Sequence, residues 1–103
     1  MNTMMPIAQS QLIALLEADS RTKGTYVRIY GDHLIIGRQE PFAPDGSFVD
    51  DDRLRLTRLS ASSYGLSVKR HTGRWERTPF SGSIKEMVET IQTLMQHLVA
   101  SYS

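Results

Sequence analysis

The segment from Thr25 to Arg38 limits the fold more than any other part of this chain. Two runs of strand-forming residues, Thr25–Tyr30 and His33–Arg38, flank the dipeptide Gly31-Asp32. Glycine at the first central position of a two-residue loop suits a type II′ turn, whose twist matches that of the strands it joins. A loop of that length sets Ile29 opposite Leu34 and Val27 opposite Ile36. All four then point to one side, which predicts a core face, while Tyr26, Arg28, Tyr30, His33 and Ile35 point to the other. Turn chemistry and hydrophobic pattern demand the same register, the agreement between levels that a foldable sequence shows.

Helical patterns stand at both ends. Pro6 suits a first helical turn, where its missing N–H is one the helix cannot use. Ala8, Leu12, Leu15 and Leu16 then share a face, which predicts a helix over about 6–19, with residues 1–5 frayed and Asp19–Gly24 as the exit. Near the other end, Ser83 with Glu86 three residues on is a capping box, in which two orphan N–H groups are satisfied reciprocally. Ile84, Met87, Val88, Ile91, Leu94, Met95, Leu98 and Val99 form a wide apolar stripe behind it. Lys85, Glu89, Gln92, Thr93 and Gln96 are expected on the outside.

Between these lie the less regular parts. Residues 39–52 hold two prolines, Gly46 and four aspartates. They read as a long irregular loop, the kind of connection that is usually functional or mobile, with Phe42 or Phe48 anchoring it. Arg53-Leu54-Arg55-Leu56 alternates, then slips at Thr57-Arg58-Leu59, which predicts a bulge or a strand end there. Tyr64–Arg70 and Arg74–Thr78 read as a second hairpin around His71-Thr72-Gly73. Its register stays open. A two- or four-residue loop sets Arg70 opposite Trp75, whereas a three-residue loop ending in left-handed Gly73 sets Lys69 there. Either register predicts a cation over the indole. The expected fold is α+β: a four-stranded antiparallel sheet of two hairpins, with N-terminal and long C-terminal helices on one face, in the order α-β-β-β-β-α.

Composition narrows the function. A length of 103 residues fits one domain, 1–103, with one core. Zero cysteines remove disulfides and thiolate chemistry. No apolar run approaches the ~18 residues of a membrane span. The start lacks the basic and apolar regions of a secretory signal, so a cytoplasmic location is expected.

Charge is unevenly spread. Residues 1–52 carry 4 basic and 8 acidic side chains, whereas residues 53–77 carry 7 basic ones against Glu76. Catalysis needs convergent groups, but His33, His71 and His97 stand at no metal-ligand spacing, and neither a Gly-x-Ser-x-Gly elbow nor a Gly-rich phosphate loop is present. Asp45 and Asp50–Asp52 lack the alternate spacing of a calcium loop. No catalytic residue, cofactor or metal ligand is therefore assigned, and no enzyme is expected. The reading that remains is a small protein-interaction module, an adaptor or regulatory subunit. It would bind a protein partner through Arg70, Arg74, Trp75, Arg77, Phe42 and Phe48, because arginine and aromatic residues dominate interface hot spots. The alternative is a nucleic-acid-binding module using Arg53, Arg55, Arg58, Lys69, Arg70, Arg74 and Arg77 on the same basic sheet face. No membrane partner is expected. The chain would act as a monomer, or as a homodimer through leftover apolar surface such as Ile13, Val88, Met95 or Tyr102.

Overall fold

The computed structural model describes residues 4–41 and 44–100. Helix α1 (Met4–Glu17) leads into five strands, β1 (Tyr26–Tyr30), β2 (His33–Pro41), β3 (Phe48–Arg58), β4 (Tyr64–Lys69) and β5 (Trp75–Gly82). Helix α2 (Ile84–Leu94) follows, and a short 3-10 turn over Gln96–Leu98 comes after it. The strands form one antiparallel meander in the order β1-β2-β3-β4-β5. The α+β class and the antiparallel sheet are as expected, but the sheet has five strands rather than four.

The additional strand is β3, whose second half is the alternating segment from Arg53 to Arg58 and whose first half lies in the region read as a loop. β2 runs on to Pro41 and β3 begins at Phe48, so most of residues 39–52 is a paired arm, with Gln39 opposite Asp50 and Pro41 opposite Phe48. Backbone pairing overrides the poor strand propensity of the aspartates, because their side chains are met individually. Gln39 donates to Asp50 at 3.0 Å, and Arg53 donates to Asp51 at 2.9 Å. Asp45 holds the turn by accepting the Ser47 backbone N–H at 2.9 Å.

The first hairpin has the expected register, with Ile29 opposite Leu34 and Val27 opposite Ile36. Gly31 has φ +60 while Asp32 has no positive φ, as a type II′ turn requires. Val27, Leu34 and Ile36 are buried, but Ile29 is 38 % exposed at the sheet edge. Ile35, on the opposite face, is only 4 % exposed. Arg28 and Arg55 are its cross-strand partners on either side, which sets their long aliphatic stems next to it on the open face.

The helices pack on the face that carries Leu34, Ile36, Leu54, Leu56 and Leu66. α1 starts at Met4, earlier than expected, and Met5 is in the core at 1 % exposure, so it is not frayed. Residues 1–3 lie outside the described residues. α2 opens on the predicted capping box, Ser83 accepting from the Glu86 backbone while Glu86 accepts from the Ser83 backbone. It buries Ile84, Met87, Val88 and Ile91, each worth about 1.5–3 kcal/mol as an upper bound. Val88 is thus core and not leftover surface. Gln92 is buried too, contrary to its expected outer position. Its amide donates to Thr22 Oγ1 at 3.2 Å, which in turn donates to the Leu16 carbonyl at 2.7 Å. The helix stops at Leu94, which is exposed, and the chain turns so that Val99 enters the core at 0 % exposure.

Gly37 sits where Tyr26 crosses the sheet. The two are cross-strand partners, and a Cβ on Gly37 would overlap the Tyr26 phenol and the Asp51 carbonyl oxygen. Only a glycine leaves room for that ring, an aromatic-over-glycine pairing that also shields the bare backbone. Gly37→Ala should therefore lower unfolding stability by about 2–4 kcal/mol. A urea titration of both proteins reads this as a shift of midpoint, and an unchanged midpoint would show that the ring is free to move.

Candidate functional site

In a meander, successive turns alternate between the ends of the sheet. The β2–β3 and β4–β5 turns therefore share one end, and the segment after α2 reaches the same end. A groove of about 580 Å³ opens there. Asp51 and Asp52 stand along one side, Lys69, Arg70 and His71 along the other, with His97 and Leu98 from the segment after α2.

The groove is built on a β-bulge. Ile36 pairs with Leu54 but Gly37 pairs with Asp52, so Arg53 is an extra residue on β3. A bulge lets adjacent side chains take the same side. Arg53 and Leu54 both lie toward the helices, while Asp52 lies on the open face with Tyr26 and Arg28. The Arg53 side chain is 6 % exposed. Its guanidinium donates to Glu40 at 2.9 Å, to Asp51 at 2.9 Å, and to the carbonyls of Leu98 and Ala100 at 3.1 and 2.9 Å. Two carboxylates and two carbonyls around one guanidinium satisfy a cation that would otherwise be costly to bury. Arg38 does the same nearby, donating to the Val99 carbonyl and, at 2.7 Å, to the Lys23 carbonyl. These two arginines hold the segment after α2 against the sheet.

The expected site residues divide accordingly. Arg53 is a structural residue on the helix side, and Arg58 lies there too, donating to the Ser60 carbonyl and to Met4 Sδ, both at 3.3 Å. Neither belongs to a basic open face. Lys69 pairs with Trp75 across β4 and β5, the register of the three-residue loop, and Gly73 has φ +89. The cation over the indole is neither Lys69 nor Arg70 but Arg55, at 4.8 Å from the ring centroid. Arg70 reaches Glu76 at 3.2 Å, with both side chains more than half exposed, so this pair contributes little. Arg74 is exposed at the turn and Arg77 on the open face. Phe48 is 64 % exposed at the start of β3. Phe42 lies outside the described residues. The β4–β5 hairpin therefore gathers Arg70, Arg74, Trp75 and Arg77, while Phe48 stands on the neighbouring arm at the same end.

Sequence reasoning placed Tyr26 and Arg28 on the outer face but missed what they bind. Tyr26 Oη donates to Asp52, and Arg28 donates to it at 2.5 Å. Burial pushes the Asp52 carboxyl up, but the hydrogen bonds from Arg28 and Tyr26 outweigh it and leave its pKa below the ordinary value. Burial, with the adjacent Asp52 carboxylate, raises the Tyr26 phenol well above its usual range. His33, which accepts from or donates to Thr57 Oγ1 at 2.9 Å, is held below its ordinary pKa by burial first and then by the charge of Arg55. Among the described residues no group of His, Asp and Glu is arranged to hold a metal ion, and no helix is long and apolar enough to cross a membrane.

The Asp52 cluster gives a pH signature. A carboxylate whose pKa is lower in the folded state stabilises the fold above its unfolded pKa, and that stability is lost as pH falls through the folded value. Asp52→Asn should cost about 1–2 kcal/mol at neutral pH. It should also flatten the fall in stability below roughly pH 4, as followed by denaturation at a series of pH values. A mutant curve parallel to the parent would remove Asp52 as the source. No protein-family model matches this chain, and no curated protein or solved structure matches it significantly, which leaves the geometry of the groove and the open face as the ground for a functional reading.

Proposed function

We propose that this chain is a small non-catalytic protein-interaction module, an adaptor or regulatory subunit acting in the cytoplasm. The observation that carries the reading is the groove between the two turns, which sets an acidic arm (Asp51, Asp52) opposite a basic turn (Lys69, Arg70, His71). Phe48 and Val49 are exposed beside it on the same arm, at 64 % and 45 %. A surface with both signs of charge next to exposed apolar side chains fits a peptide or protein segment that carries both kinds of group. Arg70, Arg74 and Arg77 project from the β4–β5 hairpin as polar anchors, and Trp75 gives that hairpin a rigid aromatic body.

The alternative, a nucleic-acid-binding module, is favoured by one observation: Arg55, Lys69 and Arg77 share the open face with Trp75. It is weakened by the loss of Arg53 and Arg58 to the helix side and by the pairing of Arg28 with Asp52.

Two measurements separate the readings. The immobilised chain should capture the same partner repeatedly from lysate, and Arg74→Ala with Trp75→Ala should abolish capture while leaving the circular dichroism spectrum unchanged. Fluorescence anisotropy with labelled single- and double-stranded DNA and RNA should show only weak binding. Capture that survives the double substitution would overturn the interaction reading. Tight nucleic-acid binding that falls steeply with salt and is lost in Arg74→Ala, Arg77→Ala would install the alternative, because released counterions drive such binding.

A further inference from the structure

A second, smaller pocket lies on the open face of the sheet. It holds about 120 Å³ and is lined by His33 from β2, Arg55 and Thr57 from β3, Gly65 and Ser67 from β4, and Arg77 from β5, with Leu59 at one wall. Two guanidinium groups, an imidazole and two hydroxyls converge on it, and no carboxylate is among its lining residues. Of the nearby acidic groups, Asp52 is engaged by Arg28 and Tyr26 and Glu76 by Arg70, while Asp32 acts on the His33 imidazole beside it.

The Arg55 Nε–H is sealed from solvent and has no hydrogen-bond partner among the described residues. Because Nε is sealed, an oxyanion in the pocket would act on the Arg55 guanidinium through its charge and not by accepting from Nε. Stacking on Trp75 supplies a π-face for the guanidinium but no acceptor for Nε. Burial also depresses the pKa of Arg55, so its surroundings disfavour the cation they enclose. An anion in the pocket reverses that imbalance.

Gly65 supplies the room. Its φ is not in the left-handed region, so the backbone does not demand glycine there. A Cβ would meet only Leu59 at 3.4 Å and Arg77 Nη2 at 3.7 Å, ordinary contacts. The missing side chain therefore leaves a methyl-sized gap between Leu59 and the Arg77 guanidinium at the floor of the pocket. Gly65 and Ser67 face a register shift in β5, where Gly65 pairs with Ser81 but Ser67 pairs with Arg77. That irregularity is a second feature that keeps the row from closing over.

We propose that this pocket binds a compact tetrahedral oxyanion, the phosphoryl group of a phosphate monoester, through Arg55 and Arg77 with the hydroxyls of Thr57 and Ser67. A phosphate monoester carries about −1.5 to −2 charges at neutral pH and three acceptor oxygens. That matches two cations and several donors on different strands better than a carboxylate, which has one charge and two oxygens. The inference goes beyond the interaction reading: the pocket shares no residue with the groove at the turn end of the sheet, and of the hairpin anchors only Arg77 belongs to both.

The test is a titration of the full chain, labelled with nitrogen-15, with phenyl phosphate, inorganic phosphate and acetate at constant ionic strength. It is read from the Arg55 Nε–H resonance and the backbone amides of Thr57, Gly65 and Ser67. Phenyl phosphate should give saturable shifts at these sites, and acetate should not. Inorganic phosphate binding as tightly as the ester would identify the free ion as the ligand source; weaker binding would identify an ester-bearing molecule. Gly65→Ala should weaken binding by at least about tenfold by filling the floor, and Arg77→Ala should do the same by removing a charge-assisted donor. Lys85→Ala, on the exposed side of α2 and outside the pocket, should leave the affinity unchanged. If Gly65→Ala fails to fold, the exposed Arg77 variant still decides. Shifts that never saturate, shifts of equal size with acetate, or affinity unchanged by Arg77→Ala would overturn the proposal.

Discussion

One guanidinium buried beneath the segment after α2 sets the geometry of the turn end of this protein. Arg53 enters the helix side of the sheet only because a bulge inserts it between Asp52 and Leu54. Once there it needs acceptors, and Glu40, Asp51, Leu98 and Ala100 supply them. The arm that carries Glu40 and Asp51 is thereby held in strand conformation, and the chain after α2 is brought down onto the sheet. The groove lies among these same residues. Removing the guanidinium would leave Glu40 buried and unpaired, an imbalance worth about 3–5 kcal/mol in comparable buried pairs.

The bulge also decides the open face. By turning Arg53 inward it leaves Asp52 on the outer side, where Tyr26 and Arg28 bind it. The aromatic ring can reach Asp52 only across Gly37. The outer face is therefore a graded surface, with Asp50 and Asp52 toward the turns and Arg55, Arg77 and His33 farther along. Its edges are managed separately. The β5 edge carries Pro79 and a register shift, both of which discourage strand pairing. On β1, the Gln9 amide donates to the Val27 carbonyl at 2.7 Å and occupies an edge acceptor. Of the surface considered for a homodimer, Val88 is core, Ile13 is 39 % exposed and Met95 is partly buried, while Tyr102 lies outside the described residues.

The parts of the fold that local chemistry determines were legible in the sequence. Gly31-Asp32 demanded one turn type and one register, and the Ser83–Glu86 box marked where α2 begins. What was not legible depends on partners distant in the chain. The alternation Arg53-Leu54-Arg55-Leu56 places Arg53 and Arg55 on one face; nothing local announces the bulge that separates them. The aspartates of residues 39–52 look like loop formers because their partners, Arg28, Gln39 and Arg53, become visible only when strands are paired. Gln92 looks like a surface residue because Thr22 is 70 positions away. Arg55 illustrates the same limit in the candidate site. Composition counted it in a basic block, but pairing put it over Trp75 and beside Gly65, where its charge has a local purpose that a count cannot show.

The most direct test of this account is a double-mutant cycle between Glu40 and Arg53, measured by chemical denaturation with Glu40→Gln, Arg53→Met and the combined variant. If the buried arginine organises the arm and the segment after α2, the two positions should couple by about 1.5–3 kcal/mol, the double variant being far less destabilised than the sum of the single ones. Additive effects, within about 0.5 kcal/mol, would contradict it. In that case the groove would be held by backbone pairing alone.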